Sequence, residues 1–371
     1  MSARDAAGRH YRLVHRTTYT YPEPVTSSYG LAVLTPRDGF GQTVRASTVH
    51  VDPAPAERAE HTDTSGNRTT HFRVAEPHTV LEVRAESVLT VTRNPVQVDH
   101  VPQLAWEEVV AAARTMRTTG AGRHGEGTAA VLAVVDGALP SELVEPDDEV
   151  LAYALPSFRP GVPLVHVVAD LAHRIRADFT YRTGSTTIHT RLPEVLARRT
   201  GVCQDFAHLM CACLRALGLP ARYVSGYLET LPPPGRPKLR GVDASHAWVA
   251  VWLPGGGWLH VDPTNDQFID DRYVVLGWGR DFRDVSPLRG IVLTTGTGST
   301  LSVGVDLEPI PLAEALAVTD RRRQHAGEDR PNSDRRSRDG THDRDDEHGR
   351  PRGDGGVRPA APPRGPAHPP A

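Results

Sequence analysis

Short alternating runs fill the first quarter of the chain. Tyr11–Thr20 and Val80–Val91 set apolar against polar residues at every second position, the pattern of strands with one buried face. Turn-forming groups separate such runs: Pro36-Arg37-Asp38-Gly39, Asp52-Pro53 and Ser65-Gly66-Asn67. Over residues 11–93 the pattern predicts a small antiparallel β domain, a sandwich, with no catalytic residue in it.

The period then changes. Trp106–Ala113 opens a helix that the Gly-rich stretch 120–127 interrupts, and residues 99–160 otherwise carry little pattern. From Leu164 to Ala177, Val165, Val168, Leu171, Ala172 and Ile175 recur at helical spacing. A second helix begins at Cys203 and stops at Gly218, with Pro220 beyond it. Strands follow at 221–228, 245–253 and 258–263, the last two flanking the hairpin connection Pro254-Gly255-Gly256-Gly257. Further strands are expected at 272–278, 290–295 and 301–307. Beyond Asp320 large apolar residues give way to Arg, Asp, Gly, Pro and His, which cannot bury enough surface to offset chain entropy. The expected division is therefore a β domain (1–98), a partly helical connection (99–160), a mixed helix-and-strand core (161–312) and a disordered tail (313–371).

Composition narrows the function. The 371 residues leave room for two domains, and a net charge of -3 gives no basic field to gather nucleic acid. Three cysteines, Cys203, Cys211 and Cys213, sit within eleven residues, an odd and clustered set that argues against a disulfide framework and for a reducing compartment. No apolar run approaches the roughly 20 residues that cross a bilayer, and the opening residues lack the apolar core of a secretory signal. A cytoplasmic protein without membrane or nucleic-acid partners is expected.

One cysteine stands apart by position. Cys203 lies where a loop becomes a helix, and the unpaired amides and dipole of a helix N-terminus favour a thiolate and can hold an oxyanion. Cys211 and Cys213 fall mid-helix among Leu, Met and Ala, the setting of buried structural cysteines. A thiol nucleophile needs a base, and the base a partner that orients it. His246 opens one strand of the hairpin and Asp262 closes the other. Pairing Ala250 with Trp258 sets His246 opposite Asp262, on one face, a parity that about half of random pairs would share.

Other polar residues fit plainer roles. His208 is five residues along the helix from Cys203, about 140° round it, and points elsewhere. His260 is expected to pack or hydrogen-bond, and Asp205 to complement the helix N-terminus. A metal site of His246, His260 and Asp262 has no H-x-x-x-H or C-x-x-C spacing behind it. No phosphate-binding or dinucleotide motif is present, so no cofactor and no metal are expected.

Four blocks in fixed order complete the reading. Gly201-Val202-Cys203-Gln204-Asp205-Phe206-Ala207-His208-Leu209, Gly218-Leu219-Pro220-Ala221-Arg222-Tyr223-Val224-Ser225-Gly226-Tyr227, Ser245-His246-Ala247-Trp248-Val249 and Asp262-Pro263-Thr264-Asn265 resemble the bacterial transglutaminase-like family. Arg280–Gly290 resembles that family's downstream segment, and the β block near 11–93 is similar to its usual N-terminal domain. The resemblance covers most of residues 11–310. It implies an α+β fold with a papain-like, transglutaminase-like catalytic core, and a Cys-His-Asp triad falling on Cys203, His246 and Asp262. It further implies thiol-dependent acyl transfer on a glutaminyl or peptide amide of a protein or peptide substrate. Water is favoured over an amine as acceptor, because no lysine-binding site is visible. The alternatives are a catalytically silent peptide-binding module on the same fold, or a partner-binding protein acting through its β domain. The stiff, basic segment Leu231–Lys238 either rims the cleft or is an ordinary surface connection.

Overall fold

The computed structural model describes residues 8–119, 127–230 and 245–318. The Gly-rich stretch (all but Gly127), the basic segment 231–238 and the expected tail from 319 onward lie outside the described residues. Strand β1 (Arg9–Thr35) is followed by β2 (Gln42–Asp52), β3 (Glu57–Thr62), β4 (Arg68–Val74) and β5 (His78–Val91), with the predicted turns between the first four. They make one curled sheet in the order β2-β5-β1-β4-β3, because β1 is long enough to pair with β5 through its first half and with β4 through its second. Pro22 and Pro24 fall where the register of β1 with β5 shifts between Thr20 and Val25. The inner surface of the curl buries Val25, Leu34, Phe72 and Val83.

Helices α1 (Trp106–Thr119), α2 (Thr128–Gly137), α3 (Asp148–Ala154), α4 (Leu164–Asp178), α5 (Leu192–Arg198) and α6 (Cys203–Ala216) follow. The sequence pattern misses α2 and α3. The apolar Ala/Val run of α2 has little amphipathic bias, and α3 is short, marked only by the Asp147 side chain accepting from the Val150 amide at its start. Two-residue strands β6 (Thr180–Tyr181) and β7 (Thr200–Gly201) pair in parallel just before α6.

The second sheet contains β8 (Ala221–Leu228), β9 (Ser245–Leu253), β10 (Gly257–Asp262), β11 (Gln267–Phe268) and β12 (Tyr273–Gly279), in the order β11-β10-β9-β8-β12. Strands β8, β9, β10 and β12 match the expected ones within a residue, and the two-residue β11 was not expected. One face packs on the helices, where Val249 and Val251 meet Leu171, Leu209 and Met210. The other faces the curled sheet, where Tyr227, Val274 and Leu276 meet Tyr11, Leu13 and Leu307. The last strands, β13 (Leu288–Thr294) and β14 (Thr300–Pro309), sit by sequence in the segment assigned to the core, yet both return to the curled sheet and pair with β1. Alternation along a strand shows that it has a buried face, not which sheet it joins. A last helical turn over 312–318 buries Ala315, inside the span assigned by composition to the tail.

Polar contacts seal the joint between the sheets. Glu229 accepts from Tyr11 (2.8 Å) and Arg9 (2.7 Å), and His15 pairs with Tyr227 at 2.8 Å. Strand β12 is an edge, and an open edge invites mispairing. Here two side-chain amides of the curled sheet occupy it. Gln42 bonds the N–H and C=O of Val275, each at 2.9 Å, and Asn67 bonds the Trp278 N–H (3.0 Å) and C=O (2.9 Å). Among the described residues no helix is long and apolar enough to cross a membrane.

Gln42→Leu should expose this joint. The buried Val275 N–H loses its partner, while the carbonyl keeps the longer bond from the Arg37 N–H at 3.3 Å. One unmet buried group costs about 1–3 kcal/mol, so chemical denaturation should show a loss of at least about 1 kcal/mol. A loss below about 0.5 kcal/mol would mean that the amide does not hold the edge.

Candidate active site

The approach to Cys203 is fixed by backbone. Arg199 turns the chain at a left-handed φ of 50°, with its guanidinium over the rings of Phe179 (4.9 Å) and Tyr153 (5.1 Å). The β6–β7 pairing then sets Tyr181 beside Gly201, and the Arg182 amide bonds the Gly201 carbonyl at 2.9 Å. Asp205 caps α6 as expected of its position, but it does so through a specific bond. Its Oδ2 accepts from the Val202 amide at 2.8 Å and from the Thr186 hydroxyl at 2.7 Å. A side chain on Gly201 would come within 2.9 Å of Asp205, so only glycine lets this cap close. Cys203 is thereby the first residue of the helix, half-buried.

His246 and Asp262 meet, although not by the expected register. The hairpin pairs Leu253 with Gly257 and Trp252 with Trp258, so Ala250 faces His260 rather than Trp258. Asp262 therefore lies diagonal to His246 instead of opposite it. A slip of two residues preserves the face, and the side chains join at 2.7 Å, Nε2 to Oδ2. On the neighbouring strand Gly226 pairs with His246; a Cβ there would collide with the Val274 carbonyl and the Trp248 ring.

Asp262 is 0% exposed, and its charge is met from three directions. Oδ2 accepts from His246, the Asn265 amide group and the Tyr273 hydroxyl, each at 2.7 Å. Oδ1 accepts from the backbone N–H of Thr264 (2.9 Å) and Asn265 (3.3 Å), closing an Asx-type turn. Burial acts to raise the carboxyl pKa, but the His246 charge and these bonds leave it lowered. For His246 the balance is the mirror image. Burial acts to lower its pKa, while the charge of Asp262, the bond to it and the adjacent Cys203 thiol raise it to about 10. With Nε2 taken by the carboxylate, Nδ1 is the ring nitrogen left to serve the thiol.

The other histidines are committed elsewhere. His208 is buried against Tyr223 and accepts from the Phe282 amide at 3.1 Å; burial pushes its pKa down to about 3. His260 accepts from the Trp248 indole at 3.0 Å and stacks on Phe40, so its ring is engaged away from any shared metal site. Cys211 and Cys213 are wholly buried, and burial raises both thiols, Cys211 to about 12. Sequence reasoning missed Asn265 and Tyr273. The Asp-Pro-Thr-Asn run carries an Asx-turn signal that points to Asn265, whereas Tyr273 arrives from β12 with no local cue. An open cleft of about 320 Å³ has His246 in its wall, with Arg176, Tyr181, Thr230, Thr264 and Asn265 around it.

Residues 161–263 match the family model of the transglutaminase-like superfamily, and residues 11–90 match that of the bacterial transglutaminase-like N-terminal region. An uncharacterized protein of Mycobacterium tuberculosis is 47% identical over 310 residues, 82% of this chain and 94% of its own length. The chain belongs to the bacterial transglutaminase-like family. A 67-residue stretch is 48% identical to a protein-glutamine gamma-glutamyltransferase of Pseudomonas aeruginosa, covering 18% of this chain and 10% of that protein. The transglutaminase-like fold recurs in a solved Cytophaga hutchinsonii structure, described there only provisionally as a cysteine protease. That structure has a TM-score of 0.63 at 20% identity and covers 82% of this chain and 91% of the other.

Iodoacetamide should label Cys203 at least tenfold faster than Cys211 or Cys213 in the folded protein, since only Cys203 is both accessible and at a helix N-terminus. Peptide mass spectrometry reads the three sites separately. Equal labelling would remove the distinction.

Proposed function

We propose that this transglutaminase-like chain is a thiol enzyme in which Cys203, His246 and Asp262 act as nucleophile, acid–base and orienting carboxylate. The observation that carries this reading is the buried His246–Asp262 pair, whose ring has the half-buried Cys203 thiol as its other neighbour. With its proton passed to His246, the Cys203 sulfur attacks the carbonyl carbon of a glutaminyl or peptide amide, and the C–S bond forms as the π electrons move to oxygen. Amides of the first turn of α6, which have no acceptor within the helix, are placed to hold that oxyanion. Collapse breaks the C–N bond, and His246 gives its proton to the departing amine or ammonia. Water then attacks the thioester while His246 takes a proton, the C–S bond breaks, and the carboxylic acid product and thiolate result. An amine in place of water gives transamidation. We favour water, because the described lining of the cleft contains Arg176 and offers no carboxylate to a lysine. Similarity to the Pseudomonas aeruginosa enzyme over 67 residues supports a glutaminyl donor on a protein or peptide. Three free cysteines fit a reducing, cytoplasmic setting.

The test is ammonia release from glutaminyl peptides, with and without an added amine. Cys203→Ala should abolish turnover, and Asp262→Asn should lower kcat/KM by about 10²–10⁴ through the wrong His246 tautomer. Equal activity in Asp262→Asn, or turnover that survives Cys203→Ala, would refute the triad. Saturable peptide binding with no turnover would instead identify a silent binding module.

The pH profile follows from the two shifts. His246 must be protonated to supply the leaving group, so activity should fall only as pH rises through its elevated pKa. The alkaline limb of kcat/KM should therefore lie well above the ordinary histidine value of about 6.5. Folding is linked in the same sense. The His246 contribution is complete below about 6.5 and is lost as pH rises through about 10. That of Asp262 is present above the ordinary carboxyl range and is lost as pH falls through its lowered pKa. An alkaline limb at about 6.5 would show that Asp262 does not hold the proton on His246.

A further inference from the structure

A second cavity, of about 720 Å³, opens where the β3–β4 turn, helix α2 and the ends of β8 and β12 come together. Neither Cys203, His246 nor Asp262 lines it. Along β8, Arg222 at this cavity is four residues from Gly226, the partner of His246, a separation of about 13 Å at roughly 3.3 Å per residue.

Arg222 is the unusual group there. Its guanidinium lies over Trp258 at 3.7 Å and near Trp278 at 5.0 Å, while Arg37 stacks on Trp278 at 3.6 Å. Cation–π contacts engage the Arg222 guanidinium but supply no acceptor to its N–H edge. No described residue gives Arg222 a hydrogen bond or an ion pair. None of its nitrogens is sealed either, whereas Arg37 Nε and Trp278 Nε1 nearby are. Burial and the neighbouring Arg37 act against the Arg222 charge, and Asp136 only partly offsets them.

The surrounding acids are already engaged. Asp63 accepts from the Asn67 backbone and side chain, and Asp284 and Asp136 both face Arg280. Arg289, also at the cavity, bonds only the Arg283 carbonyl. Two guanidinium groups thus face the space without a carboxylate of their own. Beside them Leu132 of α2 and Leu139, two residues past its end, are 62% and 45% exposed.

We propose that this cavity is a binding site for a small organic anion, its carboxylate or phosphate head on the in-plane edge of Arg222 and its apolar body against Leu132 and Leu139. A planar guanidinium fork stacked on an indole accepts an in-plane, two-oxygen partner best. The volume falls in the range of about 300–1,000 Å³ usual for small-molecule sites. A purely structural role for Arg222 would account for the stacked indoles but not for an N–H edge left open to a cavity.

The test titrates the full chain with octanoate and octyl phosphate, reading tryptophan fluorescence and thermal shift. Octylamine and inorganic phosphate serve as controls for charge and for the apolar body. At least one of the two anionic probes should bind saturably, at least tenfold tighter than either control, and the tighter of the two identifies the head group. Leu132→Glu changes an exposed residue and sets a negative charge beside the head; it should weaken binding at least tenfold, as should Arg222→Gln. If Arg222→Gln does not fold, Leu132→Glu decides. The alkylation rate of Cys203 should not change on ligand binding, which separates this site from the cleft. Absence of saturable binding, equal binding of octylamine, or unchanged affinity in Leu132→Glu would overturn the proposal.

Discussion

A carboxylate with no access to water is costly, by several kcal/mol even after relaxation, unless donors surround it. Asp262 is such a group, and the elements around it are arranged to satisfy it. The Asx-type turn supplies two backbone amides and the Asn265 side chain, β12 supplies Tyr273, and β9 supplies His246. Loss of any one donor leaves part of a buried charge unmet. This constraint fixes the His246 ring more firmly than packing alone. It also decides its ionisation. His208 and His260 are as deeply buried but have no carboxylate bonded to the ring, and burial drives both toward the neutral form. Of these three rings, His246 alone is moved the other way.

The curled sheet supports that centre from a distance. Tyr273 sits on an edge strand, and the backbone of that strand is held by Gln42 and Asn67 rather than by another strand. Strands β13 and β14 close the same curled sheet after the catalytic-type core has been completed in sequence. The N-terminal region and the core are therefore interleaved in the chain. In this family member the β domain is part of what keeps the Asp262 partners in place.

Much of this was legible because the signals were local. Alternation, helix punctuation and the Gly-Gly-Gly turn located strands β8, β9, β10 and β12 and both long helices of the core to within a few residues. The position of Cys203 at a helix start followed from the loop before it and the apolar run after it. Parity put His246 and Asp262 on one face, and it survived an error of two residues in register because side chains alternate with period two. What could not be read was non-local. The curl of the first sheet depends on β1 serving two sets of partners, and the return of β13 and β14 depends on a choice among equally patterned edges. Tyr273 reaches Asp262 from another strand for the same reason. Helix α2 was missed because it is apolar on its exposed face as well as its buried one, which leaves no amphipathic period to read.

The balance of charge at His246 can be observed directly by NMR. With ring-labelled histidine, the spectrum of the wild type minus that of His246→Gln isolates one of the 18 histidines. Its ring should titrate near 10, far above an ordinary histidine, and in Asp262→Asn it should fall by several units toward about 6.5 or below. A ring that titrates near 6.5 in the wild type, or is unmoved by Asp262→Asn, would contradict a site organised around the buried carboxylate.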